Sequence, residues 1–94
     1  MMNQAQRKDV LIRLKKIEGQ IRGIANMVEE GRYCMDILSQ TRAVNAALRK
    51  TEELIMEQHL KTCVAESFAG TDKTDQEQKI KEVMAVLTRL RRNE

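Results

Sequence analysis

The chain is poor in the residues that build β-sheets, membrane spans and disulfide frameworks. Its 94 residues include no proline or tryptophan, one tyrosine, one phenylalanine and two cysteines. No stretch approaches the roughly 18 consecutive apolar residues of a membrane-spanning helix, and the first ten residues lack the apolar core of a signal peptide. We therefore expect a cytoplasmic protein that has no membrane association. In that compartment the two cysteines are thiols or metal ligands rather than a structural disulfide.

The residues that are abundant favour helices. A third of the chain is charged, and the apolar residues are mostly Leu, Ile, Val, Ala and Met. This composition favours helices and contains few of the aromatic residues that are common in strands. We find no repeat and no low-complexity tract, so we interpret residues 1–94 as one domain. A single core is marginal at this size, which makes burial against other copies of the chain a reasonable expectation.

Charge is distributed unevenly between the two halves of the chain. Residues 1–50 carry ten Lys and Arg against five Asp and Glu, whereas residues 51–94 carry seven against nine. A basic half suggests a polyanionic partner such as DNA. On charge alone, an ordinary solvated helix surface explains the same numbers equally well.

Apolar spacing predicts three helices, the first over about residues 5–29. Its apolar residues recur at steps of four and three, so they share one helix face: Val10, Leu14, Ile17, Ile21, Ile24 and Val28. Gly31 suits the end of this helix. A second helix is predicted over about residues 33–66, because nothing interrupts helix formation there.

The third predicted helix covers about residues 75–92. Residues 70–75 read as a loop, in which Thr74 or Asp75 is suited to cap the helix that follows. The apolar stripe of this helix is Ile80, Val83, Leu87 and Leu90.

His59 and Cys63 have the spacing of two metal ligands, but two ligands supply only half of a site. They are four residues apart, so a helix places them on one face, and the remaining cysteine is Cys34. On one continuous helix, at 1.5 Å per residue, Cys34 and Cys63 are separated by roughly 43 Å. They can share a metal only between chains, for example in an antiparallel two-fold dimer with two equal sites. From these residues alone, a surface histidine and two buried apolar cysteines remain an open alternative.

Three segments together carry a resemblance: RLKKIEGQIRGI (13–24), YCMDILSQ (33–40) and HLKTCV (59–64). In this order and spacing, the chain resembles the copper-sensing repressor family of bacteria, the relatives of the copper-sensitive operon repressor, over about residues 7–92. The resemblance implies an all-α protomer of three helices, an antiparallel dimer with a long second helix, and a tetramer made of two dimers. It also implies binding to operator DNA without a helix-turn-helix, by a protein that is not an enzyme.

The same resemblance implies roles for individual residues. Cys34 of one protomer would bind a metal together with His59 and Cys63 of its partner. Two thiolates and an imidazole suit Cu(I), since Zn(II) normally takes a fourth ligand. Tyr33 and a glutamate of the third helix, Glu82 in preference to Glu77, are expected beside the metal ligands. The family's basic motifs correspond to the DNA-binding candidates Arg13, Lys15, Lys16, Arg22, Arg49 and Lys50.

Function follows from these implications as an expectation. The metal-free tetramer would repress genes by binding operator DNA, mainly through phosphates and DNA shape, and Cu(I) would release it. Nickel and cobalt sensors of this kind add a histidine near the N-terminus, and formaldehyde sensors lack the second cysteine. His59 is the only histidine here and Cys63 is present. A persulfide sensor using Cys34 and Cys63 is the main alternative.

Two readings from other classes also remain. A copper or zinc carrier with no role in DNA binding would explain the metal ligands, but it would not explain why the first half of the chain is basic. A thiol-redox enzyme is disfavoured, because the sequence has no CxxC pair.

Overall fold

The protein is all-helical, as the sequence predicts. The structure, a computed structural model, describes residues 2–92, with side chains described up to residue 89. Its elements are α1 (Gln4–Glu29), α2 (Cys34–His59), a π-helical turn (Leu60–Val64), α3 (Ala65–Ala69) and α4 (Lys73–Arg92). Because α2, the π-helical turn and α3 follow one another without a gap, the described residues form three helical stretches.

Local side-chain and backbone bonds determine both ends of α1. Asn3 accepts a hydrogen bond from the Gln6 backbone N–H at 2.9 Å, and the Gln6 side chain accepts one from the Asn3 N–H at 2.9 Å. This reciprocal pair satisfies two N–H groups that the first helical turn leaves open. At the other end, Gly31 has a φ of 70°. The N–H of Arg32 donates to the Met27 carbonyl, which completes a Schellman motif.

The chain divides into two compact units, Met2–Gln58 and His59–Glu94, and each is described by itself. The first contains α1 and nearly all of α2. Its buried side chains are Val10 and Ile17 of α1 and Val44 and Thr51 of α2. The Thr51 hydroxyl donates to the Ala47 carbonyl at 2.9 Å, so the buried hydroxyl has a hydrogen-bond partner. The interpretation as a single domain stays a prediction.

The second unit differs from the predicted helix ends. The π-helical turn interrupts the α-helical hydrogen bonding of the second stretch, which then continues as α3 to Ala69. The third helix begins at Lys73 rather than near residue 75, and the assignment of its cap to Thr74 or Asp75 was wrong. Asp72 is the cap, because its carboxylate accepts hydrogen bonds from the N–H groups of Thr74 (3.0 Å) and Asp75 (3.2 Å).

Side-chain bonds also tie α3 to α4 within the second unit. The Ser67 hydroxyl donates to the Asp75 carboxylate. The Gln76 amide donates to the carbonyls of Gly70 (3.1 Å) and Ser67 (3.4 Å), which lie at the open C-terminal end of α3. The Ser67 carbonyl also accepts from the Gly70 N–H at 3.2 Å. The Gln76 bonds therefore add to the capping of α3 and hold the start of α4 beside its C-terminal end.

Many large apolar side chains are exposed on the protomer. On α1 they include Ile21 and Val28, on α2 Leu38 and Ile55, and on α4 a stripe at helical spacing made of Ile80, Met84 and Leu87. Leu90, the last member of the predicted stripe, has a side chain outside the described part. So much exposed apolar surface on a chain this short favours burial against further copies. Over the described residues, no helix has the length and hydrophobicity needed to cross a lipid bilayer.

Candidate functional site

The end of α2 and the π-helical turn carry the two ligand candidates of the second unit. His59 is the last residue of α2, and Cys63 lies in the π-helical turn. Both side chains are partly buried, and the Cys63 thiol is free. The Thr62 hydroxyl lies 3.7 Å from the Cys63 sulfur, within reach of a weak hydrogen bond. π-Helical turns occur often at functional sites, and this one follows directly after His59.

A glutamate of α4 approaches the histidine. The Oε2 atom of Glu82 lies 3.6 Å from Nε2 of His59 and 3.9 Å from Nζ of Lys79. The first distance is longer than an ordinary hydrogen bond but short enough for an ion pair or a bond that tightens after a small movement. The His59 side chain is 24% exposed and that of Glu82 41%, so solvent reaches the carboxylate more easily than the ring. Of the two glutamates considered from the sequence, this is the one beside His59.

Cys34 belongs to the other compact unit. It is the first residue of α2, exposed, and a free thiol. Tyr33 precedes it with 69% of its surface exposed, and the Tyr33 carbonyl accepts hydrogen bonds from the N–H groups of Asp36 and Ile37 at the start of α2. Among the residues that the structure describes, no three His, Cys, Asp or Glu side chains of one chain gather into a group that could hold a metal ion.

A groove between α1 and α2 brings three of the basic candidates together. Its lining includes Arg13 and Lys16 of α1, Lys50 of α2, and an apolar floor containing Ile17. Its volume is about 400 Å³. We call this the basic groove. Residues from two helices therefore present positive charge to one concave surface.

The remaining basic candidates lie elsewhere on the first unit. Lys15, Arg22 and Arg49 are exposed and are not part of the lining of the basic groove.

Two acidic residues beside the basic side chains were not singled out from the sequence. Asp9 lines the basic groove and pairs with Arg13 at 3.3 Å, and Glu53 lies 3.9 Å from Lys50. The signal that could have found them is their helical spacing, four residues in one pair and three in the other.

Comparison with known proteins identifies a family. The model of the family described as "Metal-sensitive transcriptional repressor" matches residues 6–89, most of the chain. Among curated relatives, the copper-sensing transcriptional repressor CsoR of Bacillus subtilis is 49% identical over 74 residues, covering 79% of this chain and 70% of the relative. The copper-sensing transcriptional repressor RicR of Mycobacterium tuberculosis is 42% identical over 85 residues, covering 86% and 83%.

Solved structures show the same fold. The copper-sensing repressor CsoR with Cu(I) from Geobacillus thermodenitrificans NG80-2 superimposes with a TM-score of 0.85 at 38% identity, covering 95% of this chain and 90% of the other. The nickel-responsive transcriptional regulator InrS superimposes with a TM-score of 0.72 at 35% identity, covering 88% and 90%. The fold is thus shared by a copper-sensing and a nickel-responsive protein, and the donor atoms have to distinguish between the metals.

Proposed function

Because this chain belongs to the metal-sensitive transcriptional repressor family, whose members are repressors and not enzymes, we propose that it is a Cu(I)-responsive repressor. In this proposal the metal-free form binds operator DNA in the cytoplasm and releases it when Cu(I) binds. The observation that carries the proposal is the cluster at the end of α2, where His59 and Cys63 lie four residues apart and Glu82 lies 3.6 Å from the histidine.

The donor atoms fit Cu(I) better than the other metals considered. Thiolates select Cu(I), whereas nickel is better served by nitrogen and oxygen donors. The chain offers two thiols and its only histidine, so a site with several imidazoles is out of reach for one protomer. The residues that would hold Cu(I) are Cys34, His59 and Cys63. When bound, the metal supplies a strong three-point link between the segments that carry them.

We place each site between two protomers. From the sequence, a continuous helix that carried both Cys34 and Cys63 would separate them by roughly 43 Å. Cys34 of one protomer would therefore join His59 and Cys63 of its partner in an antiparallel dimer, as a two-fold axis permits. Two such dimers forming a tetramer would cover the apolar side chains exposed on the helices.

Besides binding the metal, His59 is proposed to connect the metal site to α4 through Glu82. The ring atom that faces Glu82 is Nε2, which leaves Nδ1 for the metal. The hydrogen bond made by one ring nitrogen sets which nitrogen binds a metal. If His59 held the metal through Nδ1, its Nε2 would keep a proton and could donate it toward the Glu82 carboxylate. That bond would connect the end of α2 to α4. Tyr33, next to Cys34, is proposed to contribute its hydroxyl near the same ligands.

The DNA surface is proposed to be the basic groove, lined by Arg13, Lys16 and Lys50. Lys15, Arg22 and Arg49, which are exposed outside the groove, are proposed as further phosphate contacts. Lys and Arg contacts to phosphates supply affinity and make it fall as salt rises. For release to be allosteric, Cu(I) must favour the DNA-free form by the same free energy with which DNA disfavours Cu(I).

Persulfide sensing is the second candidate. The observation that favours it is that Cys34 and Cys63 are both free thiols and Cys34 is exposed. In that case the thiolate of one cysteine would take the outer sulfur of a small persulfide, releasing the thiol of the donor. The thiolate of the other cysteine, on the neighbouring protomer, would then attack the new cysteine persulfide, forming a Cys34–Cys63 disulfide and releasing hydrosulfide. His59 would be dispensable.

Complementation tests the shared site. Neither the Cys34→Ser protein nor the Cys63→Ser protein can form a complete site by itself. When the two are mixed and exchange subunits, a dimer containing one of each regains one intact site, so about a quarter of all sites should bind Cu(I) tightly again. The measurement is an anaerobic titration against a Cu(I) chelator, with each variant alone as the control. No recovery of tight sites in a mixture shown to have exchanged would contradict the shared arrangement.

A further inference from the structure

The basic groove contains a carboxylate that works against anion binding. Asp9 of α1 lines the groove together with Arg13, Lys16 and Lys50. The Nε–H of Arg13 donates to Oδ1 of Asp9 at 3.3 Å. Both side chains are about half exposed, 43% for Arg13 and 52% for Asp9, so the pair lies at the mouth of the groove where a ligand from solvent can reach it.

A carboxylate and a phosphate make the same demand on an arginine. Each presents anionic oxygens to the planar guanidinium, which binds either group through paired N–H donors. While Asp9 holds Nε of Arg13, that donor is not available to a second anion. A phosphate entering the groove therefore meets three cations, of which Arg13 is bonded to Asp9 inside the groove and Lys50 lies 3.9 Å from Glu53, which is not part of the lining.

We propose that Asp9 is an internal competitor of the DNA backbone, which must displace it from Arg13 when the repressor binds its operator. The inference rests on the proposed function and adds to it the residue that limits how tightly the metal-free form holds DNA. Giving up an exposed ion pair costs little, whereas a phosphate contact gains from counterion release. Replacing the Asp9–Arg13 pair by a phosphate–Arg13 contact is therefore favourable. Asp9 reduces the binding free energy gained from that contact at each protomer that reaches DNA.

This competition affects release as well as binding. A repressor that binds DNA less tightly can be removed by a smaller coupling free energy. Asp9 also contributes equally on every DNA sequence, because phosphate contacts carry no base information. Its removal is therefore expected to tighten operator and non-operator binding by the same factor.

The chain supplies a matched control for this test. Glu77 lies on α4 in the second unit, whereas every residue proposed to contact DNA belongs to the first unit. It is exposed and is not among the residues lining the groove. Asp9→Asn and Glu77→Gln each remove one negative charge, so they change the net charge of the protein equally.

The experiment measures binding of the full-length metal-free protein to two labelled duplexes by fluorescence anisotropy over a range of salt concentrations. One duplex carries an operator selected from a random-sequence pool by binding to this protein, and the other is of mixed sequence. Asp9→Asn should bind both about three- to tenfold more tightly, because Arg13 then contacts a phosphate without first giving up its carboxylate partner. Glu77→Gln should change affinity less than about twofold. In an Arg13→Gln background, Asp9→Asn should gain nothing, since the competitor acts through Arg13.

Equal gains from Asp9→Asn and Glu77→Gln would overturn the proposal in favour of a general charge effect. An unchanged affinity of Asp9→Asn, or a full gain that persists without Arg13, would overturn it as well. In these cases binding by the wild type leaves the proposed function intact. A wild-type protein that binds neither duplex at low salt would overturn the proposed function and this inference together.

Discussion

Nε2 of His59 at the end of α2 lies 3.6 Å from Oε2 of Glu82 on α4. The distance is just beyond hydrogen-bond range, so a small movement of either side chain makes or breaks the bond. The same carboxylate lies 3.9 Å from Lys79, which gives it an alternative partner on its own helix. In the proposed mechanism, Glu82 responds to a change at His59 and transmits it along α4.

Glu82→Gln should separate metal binding from DNA release. The amide still occupies the space beside His59 but accepts a hydrogen bond more weakly than a carboxylate. We expect the coupling between Cu(I) and DNA, typically about 1–3 kcal/mol in allosteric proteins, to fall below about 1 kcal/mol. Cu(I) should still bind, with at most about a 10- to 100-fold loss of affinity. Glu77→Gln, which changes the same charge elsewhere on α4, is the control. Full coupling in Glu82→Gln would show that another group carries the signal.

Lys16→Ala should weaken DNA binding because Lys16 lines the basic groove. The loss should be similar on all sequences, with a salt slope shallower by about one for each contact removed. Lys81→Ala, an exposed lysine of α4, removes the same charge from the second unit and should have little effect. Anisotropy titrations at several salt concentrations make the comparison. Equal losses in the two variants would mean that only net charge matters.

Asp72→Ala should destabilise the second unit. Its carboxylate accepts hydrogen bonds from two N–H groups at the start of α4, and loss of such a cap costs about 0.5–2 kcal/mol. Urea unfolding followed by circular dichroism measures the change, with Thr71→Ala in the same turn as the control. A midpoint equal to that of the control would show that the cap contributes nothing in solution.

Leu38→Asp should impair self-association. Leu38 is half exposed on the protomer and lies four residues after Cys34, on the same face of α2. If Cys34 meets a partner's ligands, Leu38 faces that partner as well. Light scattering should detect dimers or tetramers for the wild type and for the exposed Gln40→Asp control, and smaller species for Leu38→Asp. A folded wild-type monomer at micromolar concentration would contradict any shared site.

The three helical stretches could be predicted because their cause is local. Apolar residues at steps of three and four, a glycine after Glu30 and a loop rich in polar residues after Ala69 are each visible in the sequence. The all-α fold is confirmed on this basis. The end of the second stretch was harder to predict, because the residues of the π-helical turn do not differ in composition or apolar spacing from those of an ordinary α-helix.

Contacts between elements could not be predicted from spacing. The loop before α4 leaves the register of that helix open, so the sequence could not decide which glutamate lies near His59. The cap was misassigned for a similar reason: Thr74, Asp75 and Asp72 all belong to types that cap helices. The basic groove depends on how α1 packs against α2, which a helical wheel of either helix does not show.

Cu(I), held by Cys34, His59 and Cys63, is proposed to release the repressor from DNA. Wild type and His59→Ala, each bound to the labelled operator duplex, are treated separately with Cu(I) and with a persulfide donor, and release is followed by anisotropy. We expect Cu(I) to release the wild type, with a drop in DNA affinity of roughly 1–3 kcal/mol. We also expect His59→Ala to keep two thiolates, bind Cu(I) and remain on the DNA. Release of the wild type by the persulfide donor but not by Cu(I) would rule out Cu(I) as the signal.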